Sequence, residues 1–281
     1  MTASLDTTTA TAAGESSNNA TVQWIEVLGA RVAVFVAGSG DPTVVLHRDT
    51  GHEWSPFHDA LARDRMVIAP ALPGFHPSER LDWVRSTNDL AHVTGLILDG
   101  LALAPCAIVG LGYGAWVAAE LATTRPERVG PMVLHAPMGL LPPEGAYLDQ
   151  FLVPTLEYLE TGFASPAVFQ AVCGAFAKDD DKPRAWDNDR ETLTRVAWAP
   201  YLHSKRLRHL LPMVRTSVFV IASEHDRIVP RSVPEQYHRL IPDSEFAVIS
   251  GAGHRAEFEA ADELARLTTN HLAAAQASFH S

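Results

Sequence analysis

Residues 108–116 read IVGLGYGAW, and the reading of this stretch decides the fold. The apolar run Cys106-Ala107-Ile108-Val109-Gly110 has the length and character of a buried strand. The glycines at 110, 112 and 114 mark a sharp turn, and Ala115-Trp116-Val117 opens a helical pattern. A strand that turns directly into a helix belongs to a sheet built from crossover units. Working outward, TVVLH (43–47), MVIAP (66–70), GPMVLHAP (130–137), SVFVIAS (217–223) and EFAVIS (245–250) are further short apolar runs of buried-strand character. Helical patterns separate most of them, at 56–64, 86–103, 115–129, 233–241 and 257–276, and an opening hairpin is expected over 23–38. Strands alternating with helices predict an α/β chain with a mostly parallel, doubly wound sheet.

The alternation breaks once. Residues 139–211 contain no buried strand and show helical spacing, so they are expected to form an inserted helical cap. The core is then 21–138 together with 212–281. Residues 1–20 are rich in Thr, Ala, Ser and Asn without Lys, Arg or an apolar run, which predicts a disordered tail and no secretory signal. The uncharged stretch Gly100–Ala119 contains Pro105 and four glycines, so it is expected as strand, turn and helix, not as a membrane span. Asp179-Asp180-Asp181 reads as a solvated loop.

With 47% apolar and 20% charged residues over 281 positions, the chain has ample core. A net charge of −11 argues against a nucleic-acid partner. The two cysteines, Cys106 and Cys173, fit no metal or redox spacing and read as buried thiols of a cytoplasmic protein. The thirteen histidines include none at zinc-ligand spacing. No metal or cofactor is implied, no membrane contact is expected, and the oligomeric state is not readable.

Chemistry in an open α/β sheet gathers at the carboxyl ends of the strands. Four ends are informative: the Gly112 turn, Glu224-His225-Asp226-Arg227-Ile228-Val229-Pro230, Gly251-Ala252-Gly253-His254, and Arg48-Asp49-Thr50-Gly51-His52-Glu53-Trp54. In that order the motifs resemble the nucleophile, acid and histidine loops of the α/β-hydrolase superfamily. The resemblance runs from residue 23 to 275 and is nearest to small capped members that process esters, C–C diketones or epoxides. ALPGFHPSE (71–79) and the stretch 199–214 add to it. It implies Asp226 as the triad acid, His254 as the base, and the Tyr113 N–H as an oxyanion donor, with a second donor from the loop at Arg48 and Asp49.

The departures are as informative. Relatives carry Ser, Asp or Cys where Gly112 stands, and usually His-Gly where this chain has His47-Arg48-Asp49. Several positions have changed together, which reads as natural divergence, with an engineered inactive form of an ordinary serine hydrolase as the alternative. A glycine relieves the positive φ that the turn demands and deletes the attacking atom. The expectation is an enzyme without a serine nucleophile, in which the His254–Asp226 dyad activates water against an ester, lactone or C–C bond. Lyase, isomerase, cyclase or cofactor-free oxygenase chemistry, and a small-molecule binder without turnover, are the alternatives. His47, His76 and His135 are expected near the pocket. The aromatic content of 139–211 (Phe151, Tyr158, Phe163, Phe169, Phe176, Trp186, Trp198, Tyr201) points to an apolar or aromatic small-molecule substrate.

Overall fold

The computed structural model describes residues 5–6, 20–103, 105–174 and 181–279. The expected hairpin forms from β2 (Thr21–Val27) and β3 (Ala30–Ala37), with the two-residue β1 (Leu5–Asp6) paired on its outer edge. Those two residues are therefore strand and not tail, since they extend the ladder of β2. Residues 1–4, 7–19 and Asp179-Asp180 of the expected tail and loop lie outside the described residues, as does Phe176.

The remaining strands are β4 (Pro42–Leu46), β5 (Met66–Pro70), β6 (Cys106–Leu111), β7 (Val129–His135), β8 (Val218–Ser223) and β9 (Ser244–Ile249). They assemble in the order β1-β2-β3-β5-β4-β6-β7-β8-β9. The ladders from β5 through β4 to β9 are all parallel, and only the hairpin side is antiparallel. The central strands are apolar without alternation because both faces are covered; Val44, Val45 and Leu46 in β4 are no more than 1% exposed. On one face α2 (Thr87–Gly100) and α3 (Tyr113–Thr124) bury Leu90, Ile97, Trp116 and Leu121. On the other, α1 (Pro56–Leu61) and α10 (Ala261–Phe279) bury Phe57, Leu61, Leu264 and Leu272. Each such side chain stabilises the fold by about 1.5–3 kcal/mol on burial.

The long helix expected over 257–276 is two helices, α9 (Ala256–Glu259) and α10, broken at Ala260. The break turns Glu259 onto the backbone N–H groups of Gly253, Ala164 and Ser165 at 2.7–3.1 Å, satisfying donors that loops would otherwise bury unpaired. Between β7 and β8 lie α4 (Thr155–Thr161), α5 (Pro166–Cys173), α6 (Asp181–Ala197) and the short α7 (Leu207–Leu210), while α8 (Ser232–Leu240) follows β8. Phe163, Phe169 and Trp186 form a small apolar cluster within this inserted stretch. Among the described residues, no helix is long and apolar enough to cross a membrane, and Cys106 and Cys173 are both buried.

Candidate functional site

Strand β6 passes into α3 at Gly112, which adopts φ 54° and ψ −107°. That φ disfavours any residue with a Cβ. Two positions later, a Cβ on Gly114 would lie 2.2 Å from the Leu46 carbonyl, so only glycine lets α3 begin this close to β4. The Gly112 N–H is tied to the His135 carbonyl at 2.9 Å, and its own carbonyl accepts from Met138 N at 3.1 Å. Tyr113 opens α3 with its side chain fully buried and hydrogen-bonded to Thr87 at 3.1 Å; burial pushes its phenol far above the ordinary range.

The loops after β8 and β9 bring Asp226 and His254 together. His254 Nδ1 lies 2.8 Å from Asp226 Oδ2, and Asp226 Oδ1 accepts from Ile228 N and Val229 N, both at 2.8 Å. Burial works against the Asp226 charge, but His254 and the two N–H groups outweigh it and hold the carboxyl below its usual value.

Arg48, from the turn after β4, fills the space facing Gly112. A Cβ on Gly112 would stand 3.0 Å from Arg48 Nη1 and 3.2 Å from His254 Nε2. Arg48 Nη1 is itself 3.0 Å from His254 Nε2. A guanidinium only donates, so Nε2 accepts, and the ring carries its proton on Nδ1, which donates to Asp226. Arg48 is held bidentately by Glu257, Nε to Oε1 at 2.8 Å and Nη2 to Oε2 at 2.6 Å, and its Nη2 also donates to His135 Nδ1 at 2.8 Å. His135 therefore donates through Nε2 to Ser223 Oγ at 2.9 Å. Arg255 completes the network, donating to Glu257 at 2.8 Å, to Thr50 at 3.2 Å, and to Glu53. Arg48, Arg255 and Glu257 have side chains only 3–4% exposed. Desolvation alone would raise the Glu257 carboxyl; the Arg48 and Arg255 charges reverse that and hold it well below the carboxylate range.

Both residues of the Arg48-Asp49 pair face inward. Asp49, 1% exposed, accepts from the Tyr158 hydroxyl at 2.6 Å and from Gln150 Nε2 at 3.1 Å, linking the β4 loop to α4. The pocket beside the dyad is lined by Arg48, Asp49, Thr50, Tyr158, Leu159, Ile228, His254 and Arg255, and it is closed, with no room for even a water-sized molecule. Small-molecule sites usually offer ~300–1,000 Å³.

The three histidines expected near the pocket do not line it. His76 is exposed, and its backbone N–H, not its ring, is engaged, donating to Asp189 at 2.7 Å. His47 is wired into the backbone, Nδ1 to the Arg48 carbonyl at 2.7 Å and Nε2 accepting from Leu72 N at 3.0 Å; burial lowers it to about 4, so it stays neutral. His135 lies behind Arg48, and burial with the Arg48 charge lowers it to about 3. The sequence reading missed Glu257, Arg255, Glu53 and Tyr158. A signal existed: an arginine at 48 facing the site requires a buried acid, and Glu257 stands three residues after His254. Among the described residues, no group of three or more His, Cys, Asp or Glu is placed to hold a metal ion.

The parallel sheet, the strand-to-helix turn and the loops bearing Asp226 and His254 define an α/β-hydrolase architecture. A model of the alpha/beta hydrolase family matches residues 33–267, and the chain belongs to that family. It is 30% identical over 257 residues to a dihydrolipoyllysine-residue acetyltransferase component of an acetoin cleaving system from Pseudomonas putida, covering 86% of this chain but only 66% of that relative's length. It is 27% identical over 266 residues to a 2-hydroxy-6-oxo-6-phenylhexa-2,4-dienoate hydrolase from Burkholderia cepacia, covering 86% of this chain and 91% of the relative. Among solved structures, a meta-cleavage product hydrolase from Pseudomonas fluorescens superposes with a TM-score of 0.75 at 21% identity, over 90% of this chain and 97% of that one.

Proposed function

We propose that this chain is an enzyme of the α/β-hydrolase family that acts on a small apolar or aromatic molecule without a covalent serine intermediate. The observation that carries the proposal is the convergence on one point of a base and a fixed cation: His254 Nε2 at 3.2 Å and Arg48 Nη1 at 3.0 Å from where a Gly112 side chain would begin. In this reading a substrate carbonyl takes the Arg48 donor, which frees the Nε2 lone pair. His254 then removes a proton from water as the water oxygen attacks the carbonyl carbon. Asp226 stabilises the imidazolium that forms, and Arg48 with the Tyr113 N–H neutralises the oxyanion. The proton returns from His254 to the leaving carbon or oxygen as its bond breaks.

Residues 139–211 act here as a cap. Tyr158 and Leu159 close the pocket beside His254, so substrate entry requires α4 to move away from Asp49. Relatives named for 2-hydroxy-6-oxo dienoates support a C–C diketone as the first substrate class to test. A second reading, a binder without turnover, is favoured by the Arg48–His254 contact, which occupies the lone pair a base would use.

One experiment separates them: incubation with 2-hydroxy-6-oxo-6-phenylhexa-2,4-dienoate and a panel of activated esters in oxygen-labelled water, wild type beside His254→Ala. Turnover that places label in the acid product and is lost in His254→Ala supports the hydrolytic reading. Products without label sink it in favour of lyase or isomerase chemistry. Saturable binding of unchanged ligand supports the second reading.

A further inference from the structure

A larger cavity, about 600 Å³, opens at the seam between the start of α2, the buried Trp116 and Glu120 of α3, the last turn of α6 and the chain that follows it. It shares no lining residue with the cavity beside His254. Its volume lies within the range of small-molecule sites. Four cationic side chains line it, Arg85, Arg195, Lys205 and Arg206, contributed by separate stretches of a chain whose net charge is −11.

The charges are unevenly spent. Glu120 is the one carboxylate among the described lining residues, and its side chain is 2% exposed. It is satisfied within the protein by Arg206 Nη2 at 2.8 Å, Trp116 Nε1 at 3.3 Å and Asn88 Nδ2 at 3.5 Å. Arg206 is therefore consumed at the floor. Among the described residues Arg195 pairs only with Asp82, at 3.9 Å, and that acid is 94% exposed. Arg85 and Lys205 have no side-chain ion pair among the described residues. Three cations directed to one concavity repel each other unless an occupant brings negative charge. Trp198, half exposed at 51%, gives a flat apolar wall, braced edge-on by Phe151 at 5.2 Å between ring centres.

From this we infer that the cavity at the α2–α3 seam is a second ligand site, separate from the His254 site, for a small organic anion that pairs a carboxylate or phosphate with a planar apolar body. The acidic group meets Arg85, Arg195 and Lys205, and the apolar body lies against Trp198. The inference is independent of the proposed reaction, because neither Arg48 nor the dyad contributes to it.

Calorimetric titration of the full chain with phenyl phosphate and, separately, inorganic phosphate tests it. Saturable binding of phenyl phosphate is expected, tighter than that of inorganic phosphate. The double variant Arg85→Gln/Lys205→Gln weakens it by about tenfold or more, the worth of one charge-assisted contact. Trp198→Ala brings phenyl phosphate down to the affinity of inorganic phosphate, and His254→Ala leaves binding unchanged. All of these variants spare the Glu120–Arg206 pair, and an unchanged thermal midpoint verifies that each is folded. Absence of saturable phenyl phosphate binding overturns the inference. So does binding indifferent to Arg85 and Lys205, and so does binding lost in His254→Ala, which would place the ligand at the other site.

Discussion

Arg48 Nη1 sits 3.0 Å from His254 Nε2, on the side of the ring opposite the 2.8 Å contact between Nδ1 and Asp226. The imidazole is thus gripped at both nitrogens, by an acid that orients it and by a cation that occupies its lone pair. That cation reaches in from a different loop to stand beside Gly112, and a side chain at Gly112 would compete with the guanidinium for the same space.

That geometry makes placing a nucleophile at position 112 a two-residue problem. Gly112→Ser must place a Cβ 3.0 Å from Arg48 Nη1 at φ 54°, displacing the guanidinium and costing about 1–3 kcal/mol of backbone strain. Gly112→Ser alone is expected to react slowly with a fluorophosphonate probe, and Gly112→Ser with Arg48→Gly to form the adduct readily. Intact-mass spectrometry reads both, and equal labelling would show that Arg48 does not obstruct the site.

Removing the arginine alone should be costly to the fold. Arg48→Met leaves Glu257 with one buried cationic partner where it had two, and a loss of about 3 kcal/mol is expected from a broken buried pair. Arg48→Met with Glu257→Leu should recover most of it, because no uncompensated charge remains. Urea unfolding of both variants decides, and a double variant no better than the single would place the stability in packing.

Asp189, 3% exposed, gives the pH dependence its sign. Burial raises its carboxyl from 3.8 to about 7, against the opposing hydrogen bonds from His76 N–H and Asn188. A carboxyl raised in the folded state binds protons that the unfolded chain has released, so stability falls as pH rises from about 4 to about 7 and stays low above. Asp189→Asn, which keeps an acceptor for His76, should stabilise by on the order of 2 kcal/mol at pH 8. The gain should shrink at pH 5, and a gain constant across pH would exclude ionisation as its cause.

Tyr158 links α4 to the β4 loop through its hydroxyl on Asp49 at 2.6 Å. Asp49 Oδ1 has no hydrogen-bond partner among the described residues, so Tyr158→Phe strips one of the two donors the side chain has. A loss of about 1–3 kcal/mol is expected. Hydrogen exchange should quicken in 155–161 before it does in the strands. Uniform quickening would instead mean that α4 opens only with the whole fold.

Most of the fold was legible from short apolar runs divided by helical patterns, since strands buried on both faces need continuous Val, Ile and Leu. The hairpin, the turn at Gly112 and the loops of Asp226 and His254 followed from local spacing. The break at Ala260 was not legible, because it serves the loop donors at Gly253, Ala164 and Ser165, which are remote in sequence from it or uninformative by type. His76 and His47 were misplaced for a related reason: a histidine's type says nothing of which way its ring turns.

By itself, the sequence determined the α/β class, the α/β-hydrolase resemblance, and the absence of a hydroxyl or thiol at position 112. These depend on residue type and periodicity, which the chain carries locally. Only the tertiary structure decided what stands beside Gly112. Arg48, His135, His254 and Glu257 come from three strand ends or the segments just after them, up to 209 residues apart. Their hydrogen-bonding directions and the closure of the pocket arise from packing those ends together in a buried space.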